Sequence, residues 1–379
     1  MERRAFLKNG GIVTASLSLG GMYAPAWNRR TSDPAKNDGE TDHPLYFDGM
    51  TFLSDDPADA GKSGLSGLIL DVSSGEIVNG KFVRLFLPCL KSITAARRQI
   101  GREDSPYFLA TRGSQIGGYQ PQGRIAVFFQ FQSLEPMTES LDVMDSFYEL
   151  GLRVCQVTHH ANNAFGGGAL EREWTGLTER GFQAIEKMDA LGIIPDLSHG
   201  NEVLCRDVLK TSRKPVIASH TACRAIVNNA RCLPDSVIKG VADSGGVVGI
   251  FSMSFWLTAD PVPTVESYVR QLDHVIRVGG IDAVGISNDY ALGGEPGALS
   301  FNNDNTKAVK SYFPWWDEQA KAGILGFNER PKHCVIPELN NIRRFFTIQA
   351  ALEKSGRKAA EIEKIMGGNW VRILRKSLG

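Results

Sequence analysis

The sequence predicts an α/β protein with the fold of a (β/α)8 TIM barrel. From residue 44 onward, eight short runs of apolar and β-branched residues recur, and amphipathic helical patterns lie between many of them. Several of these helices end on glycine directly before the next strand. No G-x-G-x-x-G or G-x-x-x-x-G-K-[ST] motif follows a strand, which removes the main reason to prefer an open doubly wound sheet. Eight such units favour the closed barrel.

Each predicted strand combines β-branched or aromatic residues with a polar or glycine boundary. In chain order the strands are PLYFDGMTF, LSGLILDVS, RIAVFFQFQ, LRVCQVTHH, GIIPDLSH, KPVIASHT, GGVVGIFSM and AVGISNDY. The helical patterns include TERGFQAIEKMDALG, NEVLCRDVLKTS, PDSVIKGVADSG and TVESYVRQLDHVIRVGG. The tail from residue 342 predicts closing helices outside the barrel.

The N-terminus has the pattern of an export signal. Arg3–Arg4 precede a short, glycine-rich apolar stretch, and the small residues Ala24–Ala26 close it. This order predicts a twin-arginine signal peptide over residues 1–26 and a periplasmic or secreted protein. A membrane anchor is the weaker alternative, because the apolar stretch is short. Residues 27–43 are polar and predict a disordered spacer, so that residues 44–379 form a single barrel with C-terminal helices.

Composition excludes several classes of function. Lys+Arg and Asp+Glu both number 42, so no basic field favours nucleic acid or an anionic membrane. The six cysteines are scattered without a CxxC pair, which indicates neither a zinc ribbon nor a disulfide scaffold. The expected partner is therefore a small molecule, and a homodimer is compatible with the sequence.

Histidines and carboxylates stand where the later strands end. The candidates are His159-His160 on the fourth strand, Asp196 and Ser198-His199 on the fifth, Ser219-His220 on the sixth and Asn288-Asp289 on the eighth. Four of the seven histidines fall at three adjacent strand ends. Because active sites of such barrels form at the carboxyl ends of the strands, these side chains predict a metal site there.

The chemistry of such a site is hydrolytic. Two imidazoles and one or more oxygen ligands leave a coordination position for water, whose pKa the metal lowers. Asp289 could bind the ion or take a proton from the attacking water, and the residues alone leave both roles open. Arg231 could hold a substrate carboxylate, or could be a solvated arginine before a helix.

Long segments of the chain resemble the membrane (renal) dipeptidase family of metallopeptidases. The resemblance rests on GLTERGFQAIEKMDALGIIPDLSHGNEVLCRDVLKTSRKPVIASHTACRAIVNNARCLPDSVIKGVADSGGVVGIF, LRVCQVTHHANNAFGGG, AVGISNDYALGG and GGNWVRIL. It implies a (β/α)8 barrel of the metallo-dependent hydrolase type. It also implies a two-zinc site and cleavage of dipeptides, with tolerance of a D-residue on the C-terminal side.

The resemblance also implies roles for five residues. His199 and His220 match the two histidines that bind one zinc ion. His159 matches the histidine that polarises the substrate carbonyl or stabilises the tetrahedral intermediate. Arg231 matches the arginine that holds the free carboxylate of the substrate, and Asp289 matches the aspartate that serves the substrate amine and proton transfer.

Three positions depart from the family pattern. The family opens with Asp-Gly-His-x-Asp on the first strand, where this chain has Met50 and Phe52 after Asp48-Gly49. The bridging glutamate of the family falls on Gln132, and nearby Glu135 could replace it only with a shifted register. Because a neutral amide does not offset the repulsion of two dications, we expect one zinc ion or none. The expected ligands are His199, His220 and Gln132, with Asp289 as an alternative oxygen ligand.

The leading hypothesis is an exported hydrolase that cleaves a dipeptide or related amide bond with at most one metal ion. The alternative is a metal-free, non-hydrolytic protein that binds or remodels a peptidic small molecule. A hydrolase for a lactone or an acyl amide is a third option. All three exclude nucleic acid and a stable membrane anchor as partners.

Overall fold

The structure is a computed structural model, which describes residues 45–54, 56–78, 81–116 and 123–379. The predicted signal peptide over residues 1–26 and the predicted spacer over residues 27–43 lie outside the described residues. Within the described part of the chain, no helix has both the length and the apolar character needed to cross a bilayer.

All eight predicted strands are present, together with three short ones that were not predicted. The strands are β1 (Tyr46–Thr51), β2 (Leu65–Asp71), β3 (Glu76–Val78), β4 (Lys81–Val83), β5 (Tyr107–Leu109), β6 (Ile125–Phe131), β7 (Leu152–Gln156), β8 (Ile194–Asp196), β9 (Ala218–Thr221), β10 (Val248–Ile250) and β11 (Val284–Ile286). β3 and β4 form a small antiparallel hairpin. The three unpredicted strands have three residues each, which is too few to show a clear alternation. The equally short β8, β10 and β11 could be predicted because each lies within a longer apolar run.

The eight predicted strands follow one another in parallel around a barrel. β1, β2, β6, β7 and β8 pair in that order, and β9, β10 and β11 form a second group. Main-chain hydrogen bonds join the groups, since Ile217 N donates to Pro195 O at 3.0 Å and Leu197 N donates to Ile217 O at 2.8 Å. Asp289 N donates to Met50 O at 2.9 Å and connects the last strand to the first. The predicted (β/α)8 barrel is confirmed.

Helices cover the outside of this sheet. They are α1 (Ala58–Ser63), α2 (Phe86–Ile100), α3 (Val143–Glu149), α4 (Glu179–Leu191), α5 (Glu202–Thr211), α6 (Asp235–Asp243), α7 (Ser254–Leu257), α8 (Val265–Gly279), α9 (Pro296–Leu299), α10 (Asn305–Ala308), α11 (Phe313–Lys321), α12 (Arg344–Lys354), α13 (Ala359–Glu363) and α14 (Asn369–Leu378). Two of the helices beside the candidate site begin with side-chain caps. Thr178 accepts from Gly181 N before α4, and Asn201 accepts from Leu204 N before α5.

The interior of the barrel is a packed apolar core. Its members come from successive strands and the segments next to them, and they include Phe47, Ile69, Phe128, Val154, Ile194, Ile217 and Val247. Because these side chains fill the barrel, it is no pore, and the polar residues that follow the strands are left at its carboxyl end.

The C-terminal helix α14 closes the opposite end. The tail is helical, as predicted, but the expectation that it lies outside the barrel is wrong for Trp370. The fully buried Trp370 ring belongs to the interior core and packs 6.0 Å from the Phe47 ring, centroid to centroid. Its indole Nε1 donates to Ile286 O at 3.0 Å.

Glycines make room for this indole. A Cβ atom on Gly49 would lie 2.4 Å from Trp370 Cζ2, and a Cβ on Gly285 would lie 2.5 Å from Trp370 Nε1. Real Cβ atoms do not approach other atoms so closely. The glycines of β1 and β11 therefore leave space for the tryptophan of the last helix, which packs against both the first and the last strand of the barrel.

Candidate active site

Four histidines meet at the carboxyl ends of β7, β8 and β9, as the strand-end pattern predicts. The ring centroid of His159 lies 4.1 Å from that of His160 and 4.1 Å from that of His199. The rings of His199 and His220 are 4.9 Å apart and inclined at 61°. Because the sheet is closed and parallel, residues from about 20 to about 60 positions apart in sequence meet at the mouth that the carboxyl ends of the strands form.

His199 and His220 point their outer nitrogens at the same spot. Their Nε2 atoms are 2.8 Å apart. His220 Nδ1 lies 2.7 Å from Ser219 Oγ, and that hydroxyl donates its own proton to Asp196 Oδ2 at 2.5 Å. The hydroxyl therefore accepts from His220 Nδ1–H, which places the proton on Nδ1 and leaves the Nε2 lone pair facing the mouth.

Asp196 holds the Ser219 hydroxyl, and through it the His220 ring, in this orientation. Its carboxylate is 1% exposed and accepts hydrogen bonds from two main-chain N–H groups, one hydroxyl and two amide side chains. The donors are Ser198 N, Ser219 N, Ser219 Oγ, Gln130 Nε2 and Gln156 Nε2. Sequence reasoning noted Asp196 without assigning it a role. The signal available was its position two residues before the Ser198-His199 pair on the same strand.

Two candidate residues have left-handed backbone conformations. His199 has φ 69° and Asp289 has φ 64°. Side chains with a Cβ adopt this region at a cost, and such residues concentrate at functional sites. Main-chain bonds hold both in place, since Ala169 N donates to His199 O at 2.8 Å and Asp289 N donates to Met50 O at 2.9 Å.

Arg231 is part of the site and is 2% exposed, so it is not the solvated arginine of the alternative interpretation. Its Nη2 donates to His220 O at 2.9 Å and lies 3.1 Å from His199 Nε2. Its Nε and Nη1 find no hydrogen-bond partner among the described residues. Buried guanidinium donors without partners are suited to an anionic group of a ligand.

The pair of histidine nitrogens fits a shared cation. An arginine only donates, so His199 Nε2 must accept from Arg231, and the contact with Ser219 makes His220 Nε2 an acceptor as well. Two lone pairs at 2.8 Å repel, and the Arg231 guanidinium beside His199 Nε2 offsets part of that repulsion. Neutral imidazole nitrogens are good zinc ligands, so these two residues suit one metal ion.

Burial keeps the histidines neutral. It lowers the pKa of His199 and of His220 well below the usual range, and the charge of Arg231 lowers both further. Burial, with the charges of Arg231 and Arg84, lowers the pKa of His160 to about 3. The pKa of His159 is also lowered by burial, with the charge of His160 next in effect. Neutral rings need no deprotonation before they bind a metal.

Three of these histidines also satisfy the geometry of a metal-ligand group. Ligand atoms of His159, His160 and His199 lie within 4.8 Å of one another. Among the described residues, this is the group of three side chains that is close enough to hold a metal ion. The His159 and His199 rings are stacked at 23°, so their in-plane lone pairs do not converge on one point. The pair of His199 with His220 is therefore the better candidate.

Asp289 lies at the same mouth and is partly exposed. Burial raises its pKa to about 7, although the charge of Arg231 acts in the opposite direction. A carboxyl group that titrates near neutrality can exchange a proton with a nearby water molecule. The structure thus brings Asp289 together with Arg231 and the histidines.

The remaining predicted positions surround the ends of β1 and β6. Met50 is fully buried in β1, and Phe52 pairs with Ala291 beyond β11. Gln132 Oε1 accepts from Arg84 Nη2 at 3.0 Å, so the ligand atom predicted for Gln132 is already engaged by a cation. Glu135 Oε2 accepts from Arg84 N at 3.1 Å.

This side of the mouth is poorly suited to a second metal ion. The side chains of Met50 and Phe52 offer no hard ligand, and the amide oxygen of Gln132 faces a guanidinium. Sequence reasoning missed Arg84 altogether. The short hairpin before it was not predicted, so no strand end marked the residue.

The chain is similar to proteins of known sequence and structure. Residues 81–328 match the model of the membrane dipeptidase family, peptidase family M19. Rat dipeptidase 3 is 27% identical over 274 residues, which cover 68% of this chain and 56% of the relative. Dipeptidase tcpJ of Claviceps purpurea (strain 20.1) is 29% identical over 261 residues, which cover 67% of this chain and 51% of the relative. The chain spans about half the length of these curated relatives.

Solved structures share the fold. An amidohydrolase from Pseudomonas aeruginosa superposes with a TM-score of 0.72 at 24% identity, covering 89% of this chain and 97% of that one. A metallopeptidase from Rhodobacter sphaeroides, liganded with a phosphinate mimic of the dipeptide L-Ala-D-Ala, gives a TM-score of 0.69 at 18% identity. This superposition covers 89% of the present chain and all of the Rhodobacter chain. With more than half of its residues matching the family model and its fold matching these barrels, the chain belongs to the membrane dipeptidase family, peptidase family M19.

Proposed function

We propose that this protein hydrolyses a dipeptide or a related amide bond with at most one bound metal ion. The observation that carries the proposal is the 2.8 Å approach of two neutral imidazole nitrogens, those of His199 and His220, beside a buried arginine with unpartnered donors. The names of the relatives support the same chemistry, since rat dipeptidase 3 and the Claviceps protein are called dipeptidases.

A bound zinc ion would lower the pKa of a coordinated water molecule toward neutrality. His199 and His220 would hold it, with an oxygen ligand from Asp289 or water in addition. The hydrogen bond from His220 Nδ1 to Ser219 orients that ring, and the left-handed backbone at His199 directs the other.

The other residues of the mouth bind and orient the substrate. The free N–H groups of Arg231 would receive the carboxylate at the C-terminal end of a dipeptide. Asp289, with a pKa of about 7, would take the proton of the attacking water and pass it to the leaving amine. His159 lies 4.1 Å from His199, ring to ring, where its ring nitrogen would donate to the carbonyl oxygen.

We further propose that the protein acts outside the cytoplasm. The support is the Arg3–Arg4 pair with its apolar stretch in residues 1–26, which lie outside the described residues. Twin-arginine export moves folded chains, so a metal loaded in the cytoplasm would travel with the protein.

One experiment tests these proposals together. The protein is recovered from the exported fraction of its own host, and its transition metals are counted by elemental analysis. We expect one ion per chain, lost in His199→Ala and in His220→Ala, and hydrolysis in a panel of L,L and L,D dipeptides that falls in Asp289→Asn. Glu103→Ala, on the surface, is the matched control.

Three outcomes would contradict the proposal. A metal-free protein that still binds dipeptides through Arg231 would be the non-hydrolytic binding protein. Full retention of metal in both histidine variants would refute the assigned ligands. Recovery of the chain only from the cytoplasm would refute export.

A further inference from the structure

Arg84 is a buried cation at the side of the mouth where the family places its second metal ion. It follows β4 directly and is 6% exposed. Its Nη2 donates to Gln132 Oε1 at 3.0 Å, and its Nε donates to Ser73 Oγ at 2.9 Å. Gln132 and Ser73 follow β6 and β2, so the guanidinium lies over the carboxyl ends of two neighbouring strands.

A carboxylate balances this charge. Ser73 donates both its main-chain N–H, at 2.8 Å, and its hydroxyl, at 2.6 Å, to Asp71 Oδ1. The same hydroxyl accepts from Arg84, so serine connects the guanidinium to the carboxylate. The main chain of Arg84 is fixed as well, because its N–H donates to Glu135 Oε2 at 3.1 Å. The arginine is thus held at both its side chain and its backbone.

The charge of Arg84 reaches the histidines. After burial and the larger effects of other neighbouring charges, it contributes to the lowered pKa of His220, of His159 and of His160. A buried guanidinium stays protonated at all physiological pH values. This side of the mouth therefore carries a permanent positive charge without any bound ion.

We propose that Arg84 is a built-in substitute for the second metal ion, which it excludes from the ends of β1, β2 and β6 while it positions Gln132. The proposal rests on the proposed one-metal site and extends it. A dication and a guanidinium a few ångströms apart repel strongly in a site of low dielectric. The amide oxygen of Gln132, which would have to bind such an ion, accepts from Arg84 instead.

The proposal separates two reasons for the missing ion. If the second metal ion is missing only because its ligands are missing, restoring those ligands by mutation would restore the ion. If Arg84 also excludes the ion, the ligands must be restored and Arg84 must be replaced. The test therefore compares the variant Met50→His/Phe52→Asp/Gln132→Glu with the same variant carrying Arg84→Leu.

Zinc per chain is counted by elemental analysis after equilibration and dialysis, with circular dichroism to establish folding. We expect no gain over the parent protein in the triple variant and one additional ion per chain when Arg84→Leu is added. Arg84→Lys, which keeps the charge, should give no additional ion. An equal count in the presence and absence of Arg84 would overturn the proposal, whether both variants gain an ion or neither does.

The matched control is Arg153→Leu in the same triple variant. Arg153 is 8% exposed and donates to main-chain oxygens of Thr111, Tyr148 and Leu152. It is therefore also a buried arginine, but it lies away from Gln132. Its removal should leave the zinc count unchanged, and a gain there would show that loss of any buried arginine suffices.

A smaller change keeps the test decisive if the triple variant does not fold. Gln132→Glu alone should pair with Arg84 and bind no Mn²⁺ beyond the parent, as counted by electron paramagnetic resonance. Adding Arg84→Leu leaves that carboxylate near Asp71 and should recruit one extra Mn²⁺ per chain. Equal binding in both would contradict the proposal. Because each result is a difference from the parent, a metal-free parent would refute the one-metal site without deciding the role of Arg84.

Discussion

At the scale of single residues, the orientation of one imidazole depends on a serine and an aspartate beneath it. Ser219 Oγ accepts from His220 Nδ1–H and donates to Asp196, which in turn is held by main-chain N–H groups. Partners of this kind behind a metal ligand fix its tautomer and strengthen its basicity. In the proposed zinc site, the affinity of His220 for the ion would therefore be set partly by residues that do not contact the ion.

This arrangement predicts the effect of Ser219→Ala. The ring of His220 loses its fixed tautomer, so we expect zinc retention against a chelator to fall by roughly 10- to 100-fold. Ring ¹⁵N NMR should show a mixture of tautomers even without metal. Ser63→Ala is the control, because the buried Ser63 hydroxyl serves only the end of α1. An unchanged tautomer in Ser219→Ala would contradict the role assigned to the hydroxyl.

A second residue, Asp48 in β1, predicts how stability depends on pH. Burial raises its pKa to about 7, although the charge of Arg344 acts in the opposite direction. In the unfolded chain the group loses its proton near pH 4, so between these values the folded state binds a proton that the unfolded state has lost. This contribution makes the fold less stable as the pH rises from the unfolded pKa toward the folded pKa.

The measurement is the free energy of unfolding by urea. Between about pH 5.5 and about pH 8, the wild-type protein should lose roughly 2 kcal/mol more than Asp48→Asn, which has no proton to lose. Asp104→Asn is the control, since Asp104 is an exposed partner of Arg102. Identical pH profiles for wild type and Asp48→Asn would show that this carboxyl does not titrate in the predicted range.

At the scale of elements, the helix α14 closes the barrel at the end opposite the histidines. Trp370 reaches into the interior core between Gly49 of β1 and Gly285 of β11, and Arg372 Nη1 donates to Gly245 O at 2.8 Å before β10. The last helix therefore contacts strands from both ends of the sequence. Its contribution is to stability rather than to the site.

Trp370→Ala should be strongly destabilising. Removing a fully buried indole leaves a cavity that the surrounding strands cannot fill, and such changes cost about 3–5 kcal/mol. Trp370→Phe keeps most of the packing and loses the hydrogen bond to Ile286, so a smaller loss is expected. Urea unfolding measures both, and a loss below about 1 kcal/mol in Trp370→Ala would refute the closing role.

At the scale of the whole molecule, the sequence was sufficient to predict the barrel and the histidines that meet at the carboxyl ends of its strands. The strand ends of β7, β8 and β9 bring His159, His199 and His220 together because parallel strands of a closed sheet end on the same side. Arg231 is far from any strand end in the sequence pattern, and only the family resemblance assigned it to the site.

What could not be predicted depends on contacts between distant segments. Arg84 enters the mouth from a hairpin of three-residue strands, which are too short to show a period. Trp370 enters the interior because glycines on β1 and β11 leave space, and a helical pattern does not show which cavity a side chain fills. The left-handed conformations of His199 and Asp289 arise from the loops around them, without glycine to mark them.

The junction of β11 with β1 is made by the peptide groups of Met50, Asn288 and Asp289, since the Met50 carbonyl accepts from both of the later N–H groups, at 3.2 and 2.9 Å. Amide and carbonyl groups are the same in every amino acid. A substitution at position 50 or 52 therefore leaves these two hydrogen bonds in place. The side chains at these two positions can therefore be varied in a library while the main-chain hydrogen bonds that close the barrel are kept.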